Sequence, residues 1–394
     1  MIKNPKWIWQ RSEWPRFAYN STLVAPAVAE AHWMHGMLEG KSQAIGFESF
    51  QQIALDALVD EVISTAAIEG VRFPRELVHS SVVRKHEFTS RRTDSRNVDG
   101  LVDVIDDAIS HADQPLDADR LCRWQSALFP GEVSCTQKWV LGRFRDGHGR
   151  MRIVSSKHGQ EVVHYEAPPS SEVPNEIARF LKWFDDTKPA QTQRQGLYVD
   201  GFVRAAIAHL WFECIHPFED GNGRVGRAIV SMALAQSLRE TTGLYSLSCQ
   251  LFTARSEYYG ALNSAQRGAI EVSDWVKWFI GQSTKACAIA IKNIDQVIEK
   301  RRFWERAQES ALNERQKRVL HLLLDTASRT APDGLNAEKY MALTGVSKAT
   351  ATRDLSALVN SGQLFTLGAG KARRYHLTVH ERCRKLSLGS GAVF

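Results

Sequence analysis

The chain has 394 residues, of which 43% are apolar and 24% charged, the composition of an ordinary folded protein. No apolar run approaches the roughly 20 residues that span a bilayer, and the first residues lack the apolar stretch of a secretory leader. Six scattered cysteines without a CxxC pair argue against a disulfide framework and a cysteine-built zinc site, so a reducing cytoplasm is expected. The net charge of +6 is uneven: residues 301–394 hold 16 Lys and Arg against 8 Asp and Glu, leaving 34 against 36 in the first 300 residues. Such a local excess suggests a nucleic-acid surface, although a solvated cationic face would look the same.

Three domains are expected, over residues 1–90, 91–300 and 301–394. The first is helical in pattern. Aromatics crowd its start (Trp7, Trp9, Trp14, Phe17, Tyr19), and they read as core rather than ligand-binding. A long helix over 49–68 follows from the spacing of Ile53, Leu55, Leu58, Val62 and Ile63, and Gly70 is placed to stop it. The second domain opens with helical patterns up to about residue 130. Two short β-prone runs, 151–155 and 161–165, then read as a hairpin. A stretch apolar on all faces, 201–215, predicts a central buried helix. Helices over 224–240, 255–268 and from 273 to about 304 follow. The third domain reads as three helices and two strands (364–367 and 373–377), the winged helix-turn-helix arrangement.

The most informative stretch runs from His216 to Arg227 (HPFEDGNGRVGR). Pro217 ends the buried helix, and a new helix begins at Asn222 or Gly223. A helix N-terminus opened by Gly221, Asn222 and Gly223 suits an anion. Arg224 and Arg227, three residues apart, add two guanidinium forks for phosphates. Asp220 is a hard oxygen ligand for Mg²⁺ beside those phosphates, and His216 can serve as general base. Together these residues describe phosphoryl or nucleotidyl transfer. His209, Glu213 and His216 also fall on one helical face, as metal ligands do, but a phosphate-type loop follows them instead of a further His or Cys.

These twelve residues resemble the Fic motif, HPFx(D/E)GNGRxxR, at every specified position, and the resemblance extends over about residues 95–285. It implies a mainly α fold, a helical core with a β-hairpin flap, here joined to a C-terminal winged helix. It implies a protein adenylyltransferase that moves AMP from ATP to a Tyr, Thr or Ser hydroxyl of a target protein or of itself. His216 then deprotonates the hydroxyl and Asp220 holds Mg²⁺. Gly221, Asn222 and Gly223 form the anion hole, with Asn222 on the α-phosphate. Arg224 takes the β-phosphate and Arg227 the γ-phosphate. Tyr258 and Tyr259 line the adenine pocket, while Gln266 stands where relatives carry Asn. The hairpin docks the target by strand addition.

Thr65-Ala66-Ala67-Ile68-Glu69-Gly70 has the form (S/T)xxxE(G/N). Read alone it is a helix end with a glycine stop. Beside a full Fic motif it resembles the family's inhibitory helix, with Thr65, Glu69 and Gly70 as its marks. The resemblance implies that Glu69 pairs with Arg227, where a carboxylate competes with the γ-phosphate.

In the tail, Ser347, Lys348, Thr350 and Arg353 lie near the start of the third helix, placed for base edges or phosphates. Lys371, Arg373 and Arg374 sit on the wing. The module is read as DNA-binding, with protein contact or homodimerisation as the alternative. Two other readings of the whole chain stay open: a transcription regulator that uses the Fic domain as a nucleotide sensor, and removal of AMP at the same site. No membrane partner is expected.

Overall fold

A computed structural model describes residues 6–86, 96–130, 141–147, 149–157, 160–189, 199–308, 312–326 and 334–378. The expected hairpin turn at 158–159, Cys135 and Cys383 lie outside these residues. The chain divides into two units, Met1–Ile294 and Asp295–Phe394.

In the first unit the elements run α1 (Ser21–Ser42), α2 (Phe47–Ile68), α3 (Arg75–His86), α4 (Arg96–Ser110), α5 (Ala118–Ala127), β1 (Arg152–Lys157), β2 (Gln160–Glu166), α6 (Val173–Asp186), α7 (Gly201–Ile215), α8 (Asn222–Leu238), α9 (Leu247–Thr253) and α10 (Arg255–Arg267). Helix α11 (Ser273–Gln308) follows, and the division between the units falls within it. Local chemistry sets most starts. Asn20, Asp117, Asp200 and Ser246 each accept backbone N–H groups at the first turn of α1, α5, α7 and α9. Helix α7 is buried at every position and forms the axis of the unit, with α8 and α6 packed on it.

Of the N-terminal aromatics Trp7 and Trp14 are core, as expected, while Trp9, Phe17 and Tyr19 are half-buried. Trp7 meets Tyr165 edge-on at 5.3 Å, and Trp14 Nε1 donates to Glu176 at 2.9 Å. Strands β1 and β2 pair antiparallel, with Ser155 opposite Val162 and an irregularity between Ile153 and Val154. Val154 and Val162 are exposed.

In the second unit the elements are α12 (Glu314–Thr326), α13 (Ala337–Thr344), α14 (Lys348–Asn360), β3 (Leu364–Leu367) and β4 (Arg374–Leu377). Strands β3 and β4 pair antiparallel, Leu364 opposite Leu377. Leu320, Tyr340, Leu355, Leu358 and Leu377 share one core, against which Val359 packs. This is the three-helix, two-strand winged arrangement expected from the sequence. Asp354, buried on α14, accepts from the Tyr340 hydroxyl at 3.0 Å and from Arg315 Nε at 3.3 Å, which ties three helices together. Among the described residues no helix is long and apolar enough to cross a membrane, and Cys122, Cys214, Cys249 and Cys287 are free.

Two glycines on helices separate packing from propensity. A Cβ at Gly100 would fall on the carbonyl oxygen of Ala127, whereas one at Gly36 meets nothing within 4 Å. Gly100→Ala is expected to cost about 3 kcal/mol. Gly36→Ala should leave stability unchanged or raise it by about 0.5–1 kcal/mol. Urea unfolding of the two variants checks both signs.

Candidate active site

Because α7 is buried throughout, its C-terminus delivers the next residues from the middle of the unit. His216 leaves the helix in the left-handed conformation (φ 49°, ψ 61°), the one non-glycine residue with positive φ among those described. Pro217 removes the helical option at the preceding residue. Arg145 holds the turn in place: its Nε donates to the His216 carbonyl at 2.8 Å. One terminal nitrogen reaches the carbonyls of Pro168 (2.6 Å) and Ile215 (3.2 Å), and the other the Ser170 hydroxyl at 3.1 Å. The Tyr165 hydroxyl donates to the Cys214 carbonyl at 2.8 Å. A cation and a hydroxyl thus satisfy carbonyls that the end of α7 leaves without helical partners. Sequence reasoning placed Arg145 and Tyr165 in the hairpin region and missed this role. Most of the acceptors are backbone carbonyls, and those at the end of α7 lie 49 to 71 positions away, so they leave no mark in the sequence.

The loop that follows is locked from inside. Phe218 is fully buried against Phe144 and Phe212. The Asn222 amide closes on its backbone, accepting from the Phe218 N–H at 2.9 Å and donating to the Phe218 carbonyl at 2.7 Å. The expected placement of Asn222 on the α-phosphate is therefore narrowed. Its side chain is spent on the loop, and its backbone N–H is what it can offer an anion. Gly221 has φ +89°, and a Cβ there would press within 3.2 Å of both Leu128 and Phe129, so the conformation and the space both call for glycine. The first N–H groups of α8, which have no helical partners, open beside this turn.

That opening faces a carboxylate. A Cβ at Gly223 would fall on Glu69 Oε1. The same oxygen accepts from a terminal nitrogen of Arg227 at 2.7 Å. Arg227 is buried; its Nε donates to Thr65 Oγ1 at 2.6 Å, and the nitrogen bound to Glu69 also reaches the Thr65 carbonyl at 2.9 Å. The end of α2 explains why that carbonyl is available. The Gly70 N–H bonds to Ala67 O and the Val71 N–H to Ala66 O, both at 3.0 Å, with Gly70 at φ +84°. This is a Schellman closure in which Glu69 is the last half-helical residue. The Glu69 N–H turns to Ala66 and leaves Thr65 O to Arg227.

The electrostatics follow from burial and these pairings. Burial pushes the Glu69 carboxyl up, but the Arg227 guanidinium, helped by Arg224 and His216, more than reverses this and holds it below the usual range. The Glu69 side chain keeps 31% of its surface exposed. Burial lowers the His216 imidazole to about 4, and the nearby Arg145 charge adds to the shift, so the ring is neutral at physiological pH. Burial also lifts Glu213 to about 8 and drops His209 to about 3. Both are uncharged near pH 7.

The remaining expected residues are placed as follows. Asp220 is partly exposed at the loop, accepts from the Gly221 N–H at 2.6 Å and lies 3.7 Å from Arg224. A partly exposed carboxylate beside a helix N-terminus fits Mg²⁺, which takes one or two carboxylates and shares phosphate oxygens. Arg224 lies over the Phe129 ring at 4.7 Å. Tyr258 is buried, with its hydroxyl 2.7 Å from His209 Nε2, so of the expected adenine-pocket pair only Tyr259 reaches the surface. The Tyr259 hydroxyl donates to the Ile68 carbonyl at 3.3 Å. Gln266 is buried and donates to the Glu213 carbonyl at 3.3 Å. The face of His209, Glu213 and His216 is not a metal cluster: His209 is turned to Tyr258, His216 has left the helix, and the described residues contain no group of three or more His, Cys, Asp or Glu that could hold a metal.

In the second unit Ser347 caps α14, its Oγ accepting from the Thr350 N–H at 3.4 Å. Ser347, Lys348, Arg353 and Arg373 are exposed, while Thr350 and Arg374 are half-buried. The Lys371 side chain lies outside the described residues.

Residues 115–234 match the Fic/DOC family, residues 7–88 a domain of unknown function (DUF4172), and residues 334–378 the C-terminal domain of DIP2311-like transcriptional regulators. Over 108 residues the chain is 35% identical to a "Probable protein adenylyltransferase" of Aquifex aeolicus, covering 27% of this chain and 28% of that protein. Over 121 residues it is 31% identical to "Protein adenylyltransferase fic-1" of Caenorhabditis elegans, covering 30% of this chain and 20% of that protein. The chain thus spans less than a third of the length of either relative. A crystal structure of a Fic family protein from Desulfovibrio desulfuricans shares the fold, with 19% identity, a TM-score of 0.50, and coverage of 90% of this chain and 96% of that one. The chain carries a Fic domain on a mainly helical fold.

The depressed affinity of His216 for a proton has a direct readout. In an unfolded chain the ring charges below about pH 6.5. Buried here, it stays neutral until the pH falls to about 4. NMR titration, with the His216 signal assigned by its absence in His216→Asn, should show no ring protonation between pH 8 and pH 5.

Proposed function

We propose that this protein is an adenylyltransferase that moves AMP from ATP to a hydroxyl side chain of a target protein or of itself, and that Glu69 holds it inactive at rest. The observation that carries the reading is the meeting, at one helix N-terminus, of a neutral imidazole, a carboxylate open to solvent, a backbone anion cradle and two arginines. Each supplies one requirement of nucleotidyl transfer. His216 accepts the hydroxyl proton, because its ring is uncharged at neutral pH. The hydroxyl oxygen then bonds to the α-phosphorus, the bond from that phosphorus to the β-bridging oxygen breaks, and pyrophosphate leaves. The α8 N-terminus, with Gly221 and Gly223 beside it, stabilises charge on the non-bridging oxygens. Arg224 and Arg227 hold the β- and γ-phosphates. Asp220 would hold Mg²⁺, which when bound offsets the charge of the phosphates. The two-stranded hairpin offers an edge on which an extended target segment can dock.

The resting restraint follows from the geometry at Arg227. Its guanidinium is filled by Thr65 and Glu69, and the Glu69 carboxylate lies on the Gly223 side of the anion cradle. A γ-phosphate arriving there meets a negative charge and an occupied fork. Glu69→Gly is expected to raise incorporation of label from α-labelled ATP by at least about tenfold, given that one unit of 1.4 kcal/mol at a charged contact is a factor of ten. His216→Ala should abolish incorporation in either background. Equal rates in wild type and Glu69→Gly would remove the restraint, and activity in His216→Ala would remove the base.

For residues 334–378 we propose DNA binding, favoured by the match to a transcriptional regulator domain and by the exposed Lys348 and Arg353 on α14 and Arg373 beside β4. Replacing Lys348 and Arg353 together by Ala should weaken DNA retention in a gel-shift assay and flatten its salt dependence. Unchanged retention counts against the assignment.

A further inference from the structure

Between the helix that ends at Glu69 and the helix that carries Arg227, and bordered also by α3 and α4, lies a cavity of about 680 Å³. That volume is within the range of small-molecule sites. One wall is α2 from Phe50 to Glu61, with Ala54 and Leu58 among its residues. The same helical stripe continues at four-residue steps from Glu61 to Thr65 and Glu69. The facing wall includes Ser231 and Leu234 of α8, four and seven residues beyond Arg227. The Ser231 hydroxyl donates to the Arg227 carbonyl at 3.2 Å. The cavity is thus walled by the two elements whose relative position brings Glu69 to Arg227.

The chemistry of the lining narrows the occupant. Its two carboxylates already have partners. Glu61 accepts from the Ser246 hydroxyl at 2.7 Å, the Ser248 N–H at 2.9 Å and the Ser248 hydroxyl. Asp106 pairs with Lys85 at 3.1 Å and accepts from Ser110 at 3.0 Å. In contrast, the hydroxyl of Thr242, a lining residue only 5% exposed, has no hydrogen-bond partner among the described residues. A buried hydroxyl without a partner costs free energy that a ligand can recover. The rest of the lining sets a majority of apolar side chains, Leu55, Val83 and Leu234 among them, beside the polar Gln51, Gln52, His79 and Ser110.

We propose that this cavity binds a small neutral molecule, apolar over most of its surface and carrying one hydrogen-bonding end for Thr242, and that its occupant keeps Glu69 on Arg227. The proposal rests on the inhibitory role given to Glu69 above. The sign follows from the geometry. The cavity exists in the arrangement in which Glu69 is paired, and one helix, α2, supplies a cavity wall and ends at Glu69. A ligand that fits these walls therefore favours the paired state and shifts the population toward it.

2-Naphthol is the probe, used with the full-length chain. Calorimetry should show one molecule bound per wild-type chain, binding weakened several-fold by Thr242→Val, and binding lost in Ala54→Phe, which fills the cavity. Saturating 2-naphthol should slow AMP transfer several-fold in wild type and leave the rate of Glu69→Gly unchanged. Absence of binding to wild type, or binding undiminished in Thr242→Val, overturns the site; the latter variant changes one methyl-sized group and tolerates its surroundings if Ala54→Phe does not fold. Binding without any change in the wild-type rate overturns the coupling. Failure of the Glu69 role is distinguishable, because Glu69→Gly would then be no faster than wild type whether or not 2-naphthol binds.

Discussion

The Arg227 guanidinium is buried in the core of the first unit, yet it must stay charged, and it does so by finding partners 158 and 162 positions earlier in the chain. Desolvation of a guanidinium is costly unless its donors are matched. Here they meet a hydroxyl, a helix-end carbonyl and a carboxylate, all at the C-terminus of α2. Pairing with Glu69 pushes the Arg227 proton affinity up against the effect of burial. The two helices are therefore joined by a charge that neither can carry alone. In the function proposed above, an incoming triphosphate would offer the same guanidinium an alternative partner of the same sign as Glu69, and only one of the two could occupy it.

The rest of the site is organised to keep that choice local. Arg145 and Tyr165 fix the C-terminus of α7, and so fix His216 in a left-handed conformation that the sequence alone would disfavour. Asn222 fixes the loop to its own backbone at Phe218. His216 and the N-terminus of α8 are thus held by contacts of their own, separate from the carboxylate at the end of α2. Glu61, bound to Ser246 and Ser248 before α9 and in its first turn, anchors the middle of α2, eight residues before Glu69. The turns of α2 up to Glu61 line the cavity proposed to receive a ligand, and Glu69 ends the same helix.

Much of this was legible in the sequence because its chemistry is contiguous. His216 to Arg227 reads as a phosphate loop without any fold, since glycines, a helix start and two arginines at one-turn spacing carry their meaning locally. The winged unit was legible for a similar reason, its turns being marked by Gly345 and by the glycines at 368 and 370. Glu69 was different. Nothing near it in the sequence marks a partner 158 positions away, and only the resemblance to known inhibitory segments suggested Arg227. Arg145 was illegible because its acceptors are mostly backbone carbonyls. Tyr258 is a pocket residue only by the family resemblance, whereas tertiary packing turns it onto His209. The cavity left no sequence trace, since a void is a property of how α2, α4 and α8 meet.

Competition between Glu69 and the γ-phosphate for Arg227 is tested most directly by crystal structures with Mg²⁺ and ATP bound. In Glu69→Gly the γ-phosphate should pair with Arg227 and the α-phosphate should lie at the N-terminus of α8 within reach of His216. In wild type the Glu69–Arg227 pair should persist, with the phosphates displaced from that pose. The same phosphate position in both structures, with Glu69 still on Arg227 in wild type, would contradict the central claim.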